Sequence, residues 1–142
     1  MEYFTKQELI PCFREDRQDR CKDCRLMQAV TRMPNGIEEN IEALVTEVLD
    51  PARRKLGKPV FVNSGFRCPN HNKYVGGVSQ SQHIKGQAAD LRCEDNKQLA
   101  RIIEESGRFD QLIRYWNKDG SIRFIHVSWK RGGLNRKQSL NK

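Results

Sequence analysis

Two polar residues sit where a folding chain can least easily bury them. Asp90 lies in the run Ala88-Ala89-Asp90-Leu91, and His126 lies in Phe124-Ile125-His126-Val127. Both segments read as strands of a buried sheet. A carboxylate or imidazole in such a strand is costly unless it is paired or metal-bound. His83 precedes Asp90 in the run Ser81-Gln82-His83-Ile84-Lys85-Gly86-Gln87-Ala88-Ala89-Asp90, where the small Gly86 and Ala88 let the backbone turn and pack tightly. Taken singly, each histidine reads as structural. Together, two imidazoles and one carboxylate from separate elements match the ligand set of an open zinc site, with the fourth position left for water. Zinc brings the ionisation of such a water close to neutral pH and arms it against an amide. The residues point to a metallohydrolase carrying one Zn2+ per chain, held by His83, Asp90 and His126.

The 142 residues are expected to form a single domain, 1–142, with room for one modest core. No stretch reaches the length of a membrane-spanning helix, so membrane insertion is not expected. Met1-Glu2-Tyr3-Phe4-Thr5-Lys6 lacks the apolar region of a secretory signal. Synthesis in the cytoplasm is expected, and another agent must carry the chain to any site of action outside. The net charge of +8 favours anionic partners such as nucleic acid, lipid or cell-wall polymer. With no zinc-finger spacing and no RNA-binding signature, a solvated basic surface is preferred to nucleic-acid recognition. A monomer is expected. The five cysteines read as reduced thiols. Cys21 and Cys24 form a C-x-x-C pair, with Cys12 upstream and Cys68 or His71 as a further ligand for a second metal. Unrelated thiols are the preferred reading, because one such pair is a weak signal.

Residues 1–33 read as an irregular charged segment in which Thr5-x-x-Glu8 starts a short helix. Met33-Pro34-Asn35-Gly36 is turn chemistry. Apolar residues from Ile37 to Leu56 recur at helical spacing, interrupted at Pro51, and Gly57-Lys58-Pro59 ends the helix. Val60–Asn63 reads as a strand, 64–82 as a long functional loop, Ala88–Arg92 as a strand and Asn96–Ser106 as an amphipathic helix. Phe109–Tyr115 and Ser121–Trp129 read as strands joined at Asn117-Lys118-Asp119-Gly120. The segment 130–142 reads as a polar, poorly ordered tail.

Ser64-Gly65-Phe66-Arg67, Ser81-x-His83-x-x-Gly86-x-Ala88-x-Asp90 and His126-Val127-Ser128-Trp129 resemble the zinc D-Ala-D-Ala carboxypeptidase family. The Asn72-Lys73-x-Val75-Gly76-Gly77 loop and Phe109-Asp110-Gln111-Leu112-Ile113 extend the match, which looks most like the short phage and bacterial members. The resemblance implies an α+β domain of the hedgehog/DD-peptidase type, with a small central antiparallel sheet and helices packed on one side. It makes His83, Asp90 and His126 the zinc ligands, gives Arg67 the substrate carboxylate or backbone, and lets Ser81 orient the site or touch substrate. The implied reaction is hydrolysis of amide bonds involving D-amino acids in peptidoglycan stem peptides. The protein would reach the wall by release or on a phage particle, as lysins do.

The chain departs from the family at its general base. The glutamate expected just after the Gln-Leu-Ile strand, or three residues before the last histidine, is replaced by Arg114, Tyr115 and Arg123. Arginine cannot accept a proton near neutral pH. Asp110 and Tyr115 remain as catalytic candidates beside Arg67. The alternative is a catalytically weak or inactive zinc-containing module that binds cell wall or protein.

Overall fold

The computed structural model describes residues 1–10 and 36–142, apart from the side chains at 70 and 71. Cys12, Cys21, Cys24, the turn residues Met33–Asn35 and the His71 side chain lie outside the described residues.

Thr5 accepts a hydrogen bond from Glu8 N, and the Glu8 carboxylate accepts from Thr5 N at 2.7 Å. This reciprocal pair satisfies two backbone donors that the helix end leaves open. It starts helix α1 (Lys6–Leu9), which delivers Leu9 and the adjoining Ile10 fully buried into the core. The apolar repeat from Ile37 forms α2 (Ile37–Leu44), a widened π-helical turn (Val45–Leu49) and α3 (Asp50–Leu56). The wide turn is the form that the expected break at Pro51 takes. Proline has no N–H and collides with the carbonyl four residues back, here that of Glu47. Arg108 Nε donates to this carbonyl at 3.3 Å and also pairs with the Glu47 carboxylate.

Strands β1 (Val60–Ser64), β2 (Ala88–Cys93), β3 (Gln111–Trp116), β4 (Ile122–Ser128) and β5 (Gln138–Asn141) form one sheet in the order β1-β2-β4-β3-β5. Period-two alternation sorts its side chains. Ala89, Leu91, Leu112, Ile125 and Val127 enter the same core as Ile41, Leu44, Val48, and Leu99 and Ile103 of α5 (Asn96–Ser106). Asp90 and His126 therefore point to the opposite face. No described helix is long and apolar enough to cross a membrane.

Three local expectations are corrected. The loop expected over 64–82 contains a short helix, α4 (Pro69–Tyr74), and a 3-10 turn (Gln82–Lys85). Proline is well suited to a first helical position, where no N–H is needed. The tail expected to be poorly ordered carries β5. The sheet is consequently mixed, because β5 runs parallel to β3 while the other pairings are antiparallel. Left uncovered, β3 would present a row of unpaired backbone groups. Backbone pairing meets that need without an apolar pattern, and Leu140 is the one half-buried residue of β5.

Candidate active site

One register row crosses the whole sheet: Ser64 opposite Asp90, Asp90 opposite His126, His126 opposite Ile113, and Ile113 opposite Leu140. This row places Asp90 and His126 side by side. The 3-10 turn brings in His83, with Ser81 Oγ accepting from His83 N at 3.2 Å and Gly86 closing the turn at φ 71°. Potential ligand atoms of His83, Asp90 and His126 all lie within 4.8 Å of one another. Asp90 Oδ1 stands 3.3 Å from His83 Nε2 and 3.0 Å from His126 Nδ1.

The donor set fits a cation. His83 Nδ1 lies 2.7 Å from the Gly65 carbonyl, which can only accept. The proton therefore sits on Nδ1, and in the neutral ring Nε2 offers its lone pair toward Asp90. Backbone-fixed tautomers of this kind are typical of metal-binding histidines. His126 Nε2 is buried without a partner among the described residues, and such an orphan is uncommon unless the site has a function. Gly65 itself is required by close packing: a Cβ there would come within 2.2 Å of the Leu9 carbonyl oxygen. Burial opposes ionisation of Asp90, but the hydrogen bond from His126 Nδ1 and the adjoining His83 imidazole outweigh it and hold the carboxyl well below the usual carboxylate range.

Arg67 joins the cluster through its guanidinium. Nε donates to Ser64 Oγ at 2.9 Å, Nη1 to Asn72 Oδ1 at 3.4 Å and Nη2 to Asp90 Oδ2 at 3.2 Å. These contacts leave two of its five N–H donors free of them. The site opens into a cavity of about 530 Å³, whose walls include Arg67, Lys85, Lys130 and Arg136, with Asp90 the one acidic side chain among its described lining residues.

The other sequence candidates separate. Ser81 and Tyr115 line the cavity. Tyr115 stacks on Phe124 with ring centroids 4.5 Å apart. Burial, reinforced by the Asp90 charge, raises its phenol pKa, so the hydroxyl keeps its proton near neutral pH and is able to donate a hydrogen bond. Asp110 is completely buried and does not line the cavity. Its oxygens accept from Arg136 N at 2.9 Å, Arg136 Nη2 at 2.8 Å and Gln82 Nε2 at 2.9 Å. Burial works against its ionisation, but the Arg136 bonds prevail and keep it well below the ordinary range. A carboxylate so reluctant to take a proton is poorly matched to general-base work near neutral pH. Its visible task is to tie the His83-bearing turn to the segment leading into β5.

Asp110→Asn is therefore expected to cost about 1–3 kcal/mol of stability, the range for disrupting a buried charged hydrogen-bond network. Because the folded-state pKa is depressed, the wild-type advantage should be complete above the unfolded value of about 3.9 and fade as pH falls below it. Urea melts of both proteins at neutral and acid pH measure the difference.

Sequence reasoning did not single out Asn72, Gln82 or Arg136. Asn72 lay within a recognised string, but nothing in its spacing reveals that its side chain is buried against Arg67.

Two imidazoles and a carboxylate at an open, cation-lined cavity form the donor set of a hydrolytic metal centre. The sequence comparison agrees with that class and narrows it. The peptidase M15 family model matches residues 2–128, and the chain belongs to this family. The zinc D-Ala-D-Ala carboxypeptidase of Streptomyces albus G is 51% identical over 51 residues, a match covering 34% of this chain and 20% of that protein. The chain thus spans about a fifth of its relative's length.

Proposed function

We propose that this protein is a zinc-dependent peptidase that hydrolyses amide bonds involving D-amino acids in peptidoglycan stem peptides. The observation that carries the reading is the convergence of His83, Asp90 and His126 beside Arg67 at one cavity. Family membership supports peptidase chemistry, and the name of the Streptomyces relative supports zinc and the D-amino-acid substrate. We also take the mixed sheet, with its helical core on one face, as the hedgehog/DD-peptidase arrangement.

His83, Asp90 and His126 would hold zinc, which supplies Lewis acidity toward the scissile carbonyl and toward water. Arg67 would grip a substrate carboxylate with its remaining N–H donors, a contact suited to the planar guanidinium. Tyr115, keeping its proton, would donate to the oxygen that gains charge as the amide is attacked. Ser81 orients His83 through the backbone. The cationic walls suit an acidic peptide, and action at a cell wall would follow release or carriage on a particle, as for a lysin.

A second reading follows from one observation. Apart from Asp90, no acidic side chain among the described residues lines the cavity. A zinc-containing module that binds wall peptides and cleaves them slowly or not at all would look the same. Metal analysis combined with muropeptide digestion and mass spectrometry separates the two. Zinc with new D-amino-acid-containing fragments is the expected result. Zinc with binding but no fragments supports the module, and a metal-free protein sinks both.

A further inference from the structure

We propose that Asn72 is a positioning residue that sets Arg67 for recognition of a substrate carboxylate and couples it to the cavity lip at Gly76–Val78. The proposal rests on the peptidase reading in taking Arg67 as the carboxylate-binding group.

Asn72 is buried, and both ends of its amide are engaged. Oδ1 accepts from Arg67 Nη1 at 3.4 Å, while Nδ2 donates to the Val78 carbonyl at 2.8 Å. Its backbone carbonyl accepts from Gly77 N at 2.9 Å. The Val78 carbonyl also accepts from Ser81 N at 3.1 Å, and Ser81 Oγ accepts from His83 N at 3.2 Å. One amide thus stands at the junction of the guanidinium, the lip and the turn carrying His83. Gly76, Gly77 and Val78 themselves line the cavity.

Two features show that this junction demands an amide at this position. The first is polarity. An acceptor must face the Arg67 cation and a donor must face the Val78 carbonyl. Aspartate has nearly the same shape, but it would set an oxygen against that carbonyl. Leucine would leave both partners without the amide. The second is space. A Cβ on Gly77 would fall 2.2 Å from Asn72 Oδ1, so the lip closes directly on the amide. Arg67 is held on its other sides by Ser64 and Asp90. Removing Asn72 frees the Nη1 end of the guanidinium while leaving the ligand-side contact in place.

The test compares a peptide ending in D-Ala-D-Ala carboxylate with its C-terminal amide, using zinc-loaded wild type, Asn72→Asp and Asn72→Ser. Both variants should keep wild-type zinc content and kcat within about twofold, while KM for the acid peptide rises by about tenfold: Asn72→Ser loses a hydrogen bond to a charged group, and Asn72→Asp sets a carboxylate on the guanidinium that competes with the substrate's. KM for the amide should change little, so the preference for the acid collapses. Adding Asn72→Ser, which introduces no charge, to Arg67→Ala should cost nothing beyond Arg67→Ala alone, because the two act as one unit. Asn72→Ser covers the case in which the aspartate variant does not fold. An unchanged acid-to-amide ratio in a folded variant overturns the proposal alone, as does an equal loss on both peptides. If wild type does not cleave, calorimetric binding of the same two peptides reads the same ratio. Wild type that neither cleaves nor binds either peptide overturns the peptidase reading and this proposal together.

Discussion

Alanine in place of His83, Asp90 or His126 is expected to strip zinc from the protein and abolish any hydrolysis. Wild type should carry about one zinc per chain after dialysis, as an open three-ligand site does. Each variant should carry little. Asp90→Ala should be the most damaging of the three. Asp90 faces both imidazoles and Arg67 Nη2, so its removal leaves a mostly buried guanidinium without its anion. Loss of one partner of a buried ion pair costs about 3–5 kcal/mol, and the partial exposure of this site places the effect near the lower end. The histidine variants should melt close to metal-free wild type. Because a ligand that binds only the folded state stabilises it by mass action, chelation should lower the melting temperature of wild type and leave the three variants unmoved. Full zinc occupancy in all three would reject the ligand assignment.

The second large effect is a gain. Tyr115→Glu is expected to raise kcat by roughly two to four powers of ten, the usual contribution of a positioned general base. Tyr115 occupies the place just beyond Gln111-Leu112-Ile113 where a glutamate was anticipated, and its side chain lines the same cavity as His83, Asp90 and His126. Its strand neighbour across the pair is Phe124, on which its ring stacks. A glutamate loses that stacking and should cost about 0.5–1.5 kcal/mol of stability, a price small beside the expected rate. Single-turnover digestion of a stem peptide by both proteins measures the gain. An unchanged rate in a folded, zinc-loaded variant would show that the missing carboxylate is not what limits turnover.

Local chemistry made much of the scaffold legible. Thr5 and Glu8 carry their own capping instruction, and Asn96–Ser106 carries an unambiguous apolar stripe. The Asn117–Gly120 turn is written in residues that tolerate tight backbone geometry. Asp90 and His126 stood out because strands that bury aliphatic neighbours have little reason to include them. What stayed hidden depended on partners distant in sequence. Nothing in Gln138-Ser139-Leu140-Asn141 says strand until the open edge of β3 lies beside it. Asp110 reads as a generic acid until Arg136, Gln82 and Lys130 close around it. Asn72 has the composition of any polar loop residue, and its meaning comes from the cation and the carbonyl on either side of its amide.

The alignment of Asp90 and His126 as opposed residues of an antiparallel pair has a consequence for assembly of the fold. Side chains alternate between faces, so sliding β4 by a single residue along β2 would exchange His126 for Ile125 or Val127 at the cavity and drive the imidazole into the helical core. Every such misaligned form lacks one ligand. Metal capture at this site would therefore act as a proofreading test on strand alignment: a chain that took up zinc there would already have paired its central strands correctly, and zinc uptake during refolding would time that pairing.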